Sequence, residues 1–208
     1  METLNRTIQA RMTPEEALAR LKEGNARFVA NRKAGRDLAE QVRLTASGQY
    51  PFAIVLGCVD SRVAPELIFD QGIGDIFVAR VAGNFVNDDI VGSMEFATKV
   101  AGAKLIFVLG HSHCGAIQGA IDGVKLGTLT TMLARLEPAV AAVPAPEGGR
   151  TSHDAAFVQQ VAEKNVALTI EAIGQQSPVL KEMLEKGEIG VAGGMYDIET
   201  GEVTFFAR

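Results

Sequence analysis

Short runs of apolar residues alternate with longer amphipathic stretches from about residue 50 to the end of the chain. The short runs are rich in branched side chains and do not alternate between polar and apolar positions. Runs of this kind are typical of strands that are covered on both faces, as in parallel sheets. The predicted strands are residues 52–57, 75–81, 104–110, 188–198 and 203–207.

Helical patterns separate these strands. The clearest covers residues 88–102, and a longer one covers about 153–173, where apolar residues recur every three or four positions. Strands that alternate with helices predict an α/β fold with a mostly parallel central sheet and flanking helices. We expect the last strand to be a short antiparallel edge strand.

The N-terminal region has a different character. Thr13, Pro14 and Glu16 form a capping-box pattern that predicts a helix over residues 13–30, and a weaker helix is predicted over 38–47. Both are amphipathic and lie outside the alternating pattern. We therefore divide the chain into an N-terminal helical arm, residues 1–48, which we expect to pack against another surface such as a second subunit, and an α/β domain, residues 49–208.

Composition excludes several classes of function. The chain has 208 residues, 47% of them apolar and 22% charged, with a net charge of −5, so it lacks the basic surface that nucleic-acid binding requires. No apolar run approaches the ~20 residues that cross a bilayer, and the N-terminus lacks the apolar segment of a secretion signal. We expect a cytoplasmic protein that binds neither nucleic acid nor membrane.

Both cysteines of the chain follow predicted strands. Cys58 comes directly after the first, and His111 and Cys114 follow the third, at the start of the next predicted helix. Functional groups of parallel sheets gather beyond the carboxyl ends of strands, and a spacing of three places His111 and Cys114 on one face of a helical turn. Two thiolates and an imidazole are a zinc ligand set that leaves one coordination position open. A disulfide and a purely structural buried cysteine are the alternatives.

Asp60 and Arg62 follow Cys58 at spacings of two. In an extended segment these three side chains share one side, so Asp60 can face the metal while Arg62 orients its carboxylate through paired hydrogen bonds. A surface salt bridge of little energetic value is the alternative.

The two motifs together resemble the paired signature of the β-class carbonic anhydrases. CVDSR at residues 58–62 is similar to the family's C-x-D-S-R motif, and GHSHCG at 110–115 contains its H-x-x-C motif. The segments EALARLKEGNARFV, VAPELIFDQGIGDIFVARVAGN, GSMEFA and GMYDIETGEV resemble the family's flanking regions, so that the likeness extends over most of residues 13–206.

The resemblance implies a zinc enzyme. Cys58, His111 and Cys114 would hold one Zn²⁺, and Asp60 and Arg62 would form the catalytic pair. The reaction would be the reversible hydration of carbon dioxide to bicarbonate and a proton through zinc-bound hydroxide, in a homodimer or a multiple of dimers. Because two thiolates reduce the positive charge on the metal, we expect the activity to rise toward alkaline pH.

Three other functions would explain some of these features. Asp60 could be a permanent fourth ligand in a noncatalytic zinc or thiol sensor, although Arg62 argues against this. Relatives with this motif set can instead hydrolyse CS₂ or COS. A Rossmann-type nucleotide binder is excluded, because Gly72 and Gly74 do not belong to a G-x-G-x-x-G sequence that opens a helix.

Some residues have no firm assignment from the sequence. In a regulated subgroup of the family a bicarbonate pocket contains Trp, Arg and Tyr; the chain has no Trp, and the matching positions are Val55, Arg80 and Tyr196. Ordinary packing or a dimer salt bridge is favoured for Arg80 and Tyr196. His113 is expected to be exposed, and Gly83, with its neighbour Asn84, to pass near the site.

Overall fold

The structure is a computed structural model that describes residues 3–206. The strands are β1 (Ala53–Gly57), β2 (Ile76–Arg80), β3 (Leu105–His111), β4 (Gly190–Tyr196) and β5 (Val203–Phe205). The helices are α1 (Arg6–Arg11), α2 (Pro14–Val29), α3 (Leu38–Thr45), α4 (Pro65–Ile68), α5 (Asp88–Glu95), α6 (Gly115–Ile121), α7 (Gly127–Leu133), α8 (Glu137–Ala142), α9 (Ala155–Gln176) and α10 (Pro178–Glu185).

The strands form one sheet in the order β2-β1-β3-β4-β5. The first four are parallel, and β5 pairs antiparallel with β4. The predicted α/β class and its short antiparallel edge strand are confirmed. Because β2 and β3 lie on opposite sides of β1, a topological switch point falls between the carboxyl ends of β1 and β3, where ligands bind in open parallel sheets.

The predicted strands agree with the structure within two residues at each described end. Residue 207, the predicted end of the last strand, lies outside the described residues. The helix predicted over 88–102 begins at Asp88 but continues beyond α5 as a π-helical turn at Phe96–Val100. The pattern did not predict α1, α4, α7, α8 and α10, which have eight residues or fewer and are too short for a repeated apolar stripe.

The two sides of the sheet have separate cores, because successive strand side chains point to opposite faces. We call one side the site face; it begins with Ile54 and Leu56 of β1, continues to Cys58, and is covered by α5, α6, α9 and α10. The other is the arm face, with Val55 and Phe107 at its centre. The site face therefore receives Cys58 by the same alternation that buries Leu56.

The arm face is covered by the N-terminal helices of the same chain. Ala17 and Leu21 of α2 are fully buried there, and α2 begins with the predicted capping box, in which Thr13 and Glu16 exchange hydrogen bonds. The boundary at residue 48 and contact of this arm with a second subunit remain predictions. Residues 1, 2, 207 and 208 of the two predicted domains lie outside the described residues.

Within residues 3–206, no helix combines the length and the apolar character needed to cross a membrane.

Candidate metal centre

Three potential metal ligands meet at the switch point. Cys58 follows β1, His111 is the last residue of β3, and Cys114 directly precedes α6. Their ligand atoms all lie within 4.8 Å of one another, and all three residues are buried. The structure thus brings together the three residues that the sequence analysis selected as metal ligands. Among the described residues both cysteines are free thiols, so the alternative of a disulfide between them is not what the structure contains.

The local geometry of His111 and Cys114 differs from the prediction. The pair was expected on one face of a first helical turn, but His111 is held in the sheet opposite Tyr196, and Cys114 is the extended N-cap residue of α6. Between them the chain reverses at His113, which has a left-handed φ of 55°. Convergence therefore comes from a tight turn between a strand and a helix, and the prediction of a shared helical face is wrong.

His111 is prepared to coordinate a cation. Its Nδ1 lies 2.9 Å from the Ser112 carbonyl oxygen, which can only accept, so Nδ1 carries the proton and donates it. The other nitrogen, Nε2, is then an unprotonated acceptor, and it is buried with no hydrogen-bond partner in the part of the chain that the structure describes. A buried polar atom without a partner is costly, and a metal ion next to the two cysteines satisfies it. Zn²⁺ fits this donor set.

The two sulfur atoms interact with each other. The hydrogen bond from Cys114 is the main reason why the pKa of Cys58 is lowered; burial opposes it, and the hydrogen bond from the Gly83 N–H supports it. The same sulfur–sulfur contact raises the pKa of Cys114, together with burial. The contact therefore favours a single proton shared between the two sulfur atoms. A cation that binds both sulfurs displaces that proton, because metal ligands must be deprotonated.

Asp60 and Arg62 lie beside these ligands as a paired unit. Arg62 Nε donates to one Asp60 oxygen at 2.9 Å, and its Nη2 donates to the other at 2.7 Å. The segment is not extended as predicted: Val63 N–H donates to the Asp60 carbonyl and closes a turn. Hydrogen bonds from Arg62 hold the pKa of Asp60 far below its usual range against the effect of burial. Asp60 is a carboxylate, and both of its oxygens are engaged by Arg62.

Arg80 has a role that the sequence analysis did not assign. From the end of β2 its Nε donates to the Cys58 carbonyl at 2.7 Å, and its Nη2 donates to the Asp60 carbonyl at 2.6 Å. The guanidinium therefore fixes the loop that carries both residues. Packing or a dimer salt bridge was favoured for Arg80; a long cation directly opposite Gly57 in the sheet register was the available signal.

Tyr196 and Val55 are both buried on the arm face, whereas Arg80 contacts the loop after β1. Burial raises the pKa of Tyr196, so it is a neutral phenol. His113 is half-exposed, as predicted, and pairs with Glu199 at 3.3 Å. Gly83 does pass near the site, since its N–H donates to Cys58 Sγ at 3.4 Å.

These groups together can hold a tetrahedral cation through two sulfurs and one nitrogen, with one position left for a small oxygen ligand. Beside it stands a carboxylate that is kept ionised and oriented by an arginine. Such a site can orient a water molecule for attack on a small electrophile.

Comparisons with known proteins agree with this chemistry. A family model described as carbonic anhydrase matches residues 53–203. Carbonic anhydrase 2 of Mycobacterium tuberculosis is 36% identical over 194 residues, which cover 90% of each chain. A β-carbonic anhydrase structure from Aspergillus fumigatus is 28% identical, with a TM-score of 0.69, and the match covers 92% of this chain and 89% of that one.

A β-carbonic anhydrase structure from Sordaria macrospora, described as tetrameric, also has a TM-score of 0.69. It is 26% identical, and the match covers 82% of this chain and 91% of that one.

Proposed function

The chain belongs to the β-carbonic anhydrase family, and we propose that it catalyses the reversible hydration of carbon dioxide to bicarbonate and a proton. Zn²⁺ is the cofactor, and Cys58, His111 and Cys114 are the residues that would hold it. The observation that carries this conclusion is the buried Nε2 of His111, which has no hydrogen-bond partner within residues 3–206 and lies beside two cysteine sulfurs.

When bound, zinc would act as a Lewis acid that lowers the pKa of a bound water molecule toward the neutral to alkaline range. The protein residues supply orientation. Because Arg62 keeps Asp60 ionised, Asp60 acts as a hydrogen-bond acceptor and not as an acid near neutral pH. It accepts a hydrogen bond from the O–H group of the attacking oxygen. This hydrogen bond orients the oxygen so that its lone pair points to the carbon of carbon dioxide.

Arg62 and Arg80 are positioning residues in this mechanism. Arg62 fixes the carboxylate of Asp60, and Arg80 fixes the backbone that joins Asp60 to Cys58. The distance between nucleophile and acceptor is therefore set by two guanidinium groups on different elements of the fold. Small displacements at such a site reduce rates strongly.

The alternatives from the sequence analysis are not favoured. A sensor in which Asp60 is a permanent fourth ligand requires a carboxylate oxygen turned toward the sulfurs, but both oxygens are bonded to Arg62. A CS₂ or COS hydrolase has no support from the relatives, because those named above are carbonic anhydrases.

The function is tested by stopped-flow hydration of carbon dioxide between about pH 6.5 and 9.5, on protein of measured zinc content. We expect one zinc per chain and activity that rises with pH, since two thiolates make bound water less acidic. Cys58→Ser is the matched control and should bind little zinc and show no activity. Full zinc occupancy without activity at any pH contradicts the proposal.

We propose that the chain forms a homodimer or a multiple of dimers. β2 is an edge strand, and beside it Phe96 is 50% exposed and Val100 is 72% exposed. Phe77 of β2 packs edge-on against Phe96, so an apolar surface borders unpaired backbone groups. A second copy is the occupant that fits, because a β-carbonic anhydrase of similar fold is described as tetrameric.

The assembly is tested by analytical ultracentrifugation. Phe96→Asp should shift the protein toward the monomer, whereas Leu126→Asp, which changes an exposed apolar residue in the segment before α7, should not. An unchanged mass for both variants contradicts this interface. We extend the proposal to the arm, since Leu38 and Val42 of α3 are each 54% exposed and suit contact with a partner.

We propose a cytoplasmic location. Support comes from Cys58 and Cys114, which must both stay reduced to serve as metal ligands, and reducing compartments preserve thiols. Recovery of the protein from an exported, oxidising cell fraction contradicts this proposal.

A further inference from the structure

The turn that follows β2 contacts the metal centre through its backbone. Asn84 N–H donates to the Val81 carbonyl at 2.9 Å, and Gly83 at the turn has a φ of 84°. This conformation aims the Gly83 N–H at Cys58 Sγ, at a distance of 3.4 Å. A side chain at position 83 would be strained at this φ, and its Cβ would lie 2.8 Å from Leu136. The turn therefore has little freedom to reach Cys58 in another way.

The same peptide segment is held from the opposite side by a residue 82 positions further along the chain. Asn165 Nδ2 donates to the Gly83 carbonyl at 2.8 Å, and Asn165 is only 4% exposed. The metal ligand, the turn and the amide side chain thus form a continuous series: Cys58 Sγ, Gly83 N–H, Gly83 C=O and Asn165 Nδ2. Neither the ligand set nor the Asp60 and Arg62 pair accounts for a buried amide at this place.

The helix that carries Asn165 is fixed closely against the sheet. Val166, the next residue, is fully buried, and its methyl groups lie 2.6 and 2.7 Å from where side chains at Gly110 and Gly193 would begin. Only glycine at those strand positions permits this approach of α9. Because α9 cannot easily shift, Asn165 supplies its hydrogen bond from a rigid support.

We propose that Asn165 is a positioning residue for the metal ligand Cys58, acting through the peptide of Gly83. If the amide is removed, the Gly83 carbonyl is left buried without its donor, and the turn relaxes to find another partner. The Gly83 N–H then leaves Cys58 Sγ, which loses both its orientation and a hydrogen bond that stabilises the thiolate. Groups that orient a ligand in this way are worth about 10- to 100-fold in metal affinity.

This inference rests on the proposed zinc site, and it differs from a purely structural role. If Asn165 only joined α9 to the turn, its loss would lower the stability of the fold without a specific effect on the metal. The informative readouts are therefore the zinc affinity, measured by competition with a chromophoric chelator, and the thiolate-to-metal absorption of the cobalt-substituted protein.

The test compares Asn165→Leu with Thr169→Val. Both replace a buried polar side chain of α9 by an apolar one of similar size, and Thr169 is also 4% exposed. We expect Asn165→Leu to weaken zinc binding by about 10- to 100-fold and to change the near-ultraviolet cobalt band, while thermal unfolding shows that the metal-free variant is folded. Thr169→Val should keep the parental affinity and spectrum.

Parental zinc affinity and an unchanged cobalt band in folded Asn165→Leu overturn the proposal. Equal losses of affinity in both variants also overturn it, since they show a general effect of α9 packing. A parent protein that binds no zinc contradicts the proposed function itself, so the two failures are distinguishable.

If Asn165→Leu does not fold, the parent protein loaded with ¹¹³Cd gives the answer by nuclear magnetic resonance. We expect a scalar coupling from cadmium through Cys58 Sγ to the Gly83 amide proton, and slow exchange of the Asn165 side-chain amide protons. A Gly83 amide without coupling to cadmium, or rapidly exchanging Asn165 protons, overturns the proposal.

Discussion

The site face and the arm face of the sheet both bury polar groups, but they satisfy them differently. On the arm side, Asn25 donates to the carbonyls of Ile68 and Gly201 and accepts from Val203 N–H, so its whole amide is used within the chain. At the metal centre, at the carboxyl edge of the sheet, His111 Nε2 is buried with no hydrogen-bond partner among the described residues. A polar group that is fully paired inside the chain serves the fold, whereas one left unpaired beside two thiols is prepared for a ligand.

The ion pairs on the two sides also differ in how deeply they are buried. Asp70, beneath the arm, is bound by Arg27 at 2.5 Å and by Arg36 at 2.6 Å. These two cations join α2 and the following linker to the loop after α4. Near the site, Asp60 binds Arg62, but this pair reaches solvent, with the Arg62 side chain 51% exposed. We therefore expect changes at the arm to affect stability and changes at the site to affect function.

The largest effect is expected from Cys114→Ala. It removes one of the two sulfur atoms of the proposed metal centre, so zinc binding and carbon dioxide hydration should both be lost. The unfolding free energy of the metal-free protein should change by no more than about 1 kcal/mol, because a thiol and a methyl group are both small and apolar. Zinc analysis, stopped-flow assay and urea unfolding measure the three quantities. Strong destabilisation of the metal-free variant would contradict the expectation that changes at the site affect function and not stability.

Asp70→Asn should have the next largest effect, on stability alone. Removal of one partner from a buried ion pair costs about 3–5 kcal/mol. The control is Asp122→Asn, an exposed carboxylate that accepts two hydrogen bonds from Ser152, where we expect less than about 0.5 kcal/mol. Urea unfolding gives both values, and activity per bound zinc should remain parental in both variants.

The Asp70 cluster also predicts a dependence on pH. Burial acts to raise the pKa of Asp70, but hydrogen bonds from Arg27, the Ala34 amide and Arg36 outweigh it and lower the pKa. A carboxyl group with a lowered folded pKa contributes stability above its unfolded pKa of about 3.9, and this contribution is lost as the pH falls through the folded value. The difference in stability between the parent and Asp70→Asn should therefore shrink in acid.

Two glycine substitutions, whose effects on stability should be of intermediate size, compare the packing of α2 in the arm with that of α9. A Cβ at Gly24 of α2 would lie 1.8 Å from the Phe69 carbonyl oxygen, so Gly24→Ala should destabilise by at least about 1–3 kcal/mol. Gly174 of α9 has only Leu184 nearby, at an ordinary 3.8 Å, so Gly174→Ala should stabilise by about 0.5–1 kcal/mol. Thermal unfolding measures both. A stable Gly24→Ala variant would show that the arm is not tightly seated.

The smallest effect concerns Asp75, before β2. Burial raises its pKa, opposed by the Gly72 N–H hydrogen bond and by Arg36 and Arg20. A raised folded pKa favours the protonated form, so stability falls as the pH rises from the unfolded pKa through the folded one. As the pH rises above about 4, Asp75→Asn should therefore gain stability relative to the parent, by roughly 1 kcal/mol or less. A larger gain at the acid end contradicts this sign.

The sequence supplied the strands and the ligand set because both depend on short, local signals. Unbroken apolar runs located the strands, and cysteines directly after two of them located Cys58 and Cys114. The geometry between His111 and Cys114 was not predictable in the same way. The reversal at His113 depends on a left-handed residue whose energy the surrounding structure compensates, and spacing alone suggested a helical turn.

The parts of the site that act through the backbone carried no comparable signal. Arg80 binds two carbonyl groups across neighbouring strands, and Asn165 reaches Gly83 from a helix late in the chain. In the sequence, Asn165 lies between Lys164 and Val166 in a long helix, and a single amide at such a position has many structural explanations. Its partner is defined only when α9 packs on the sheet.

The sequence by itself determined the fold class, the family and the residues able to hold zinc, because unbroken apolar runs and short ligand motifs each consist of neighbouring residues. Only the tertiary structure decided that Nε2 of His111 is the nitrogen left for the metal, that Asp60 is bonded to Arg62, and that Arg80 and Asn165 support Cys58. These depend on hydrogen bonds between distant segments, and such bonds form only after packing has fixed which donors and acceptors meet.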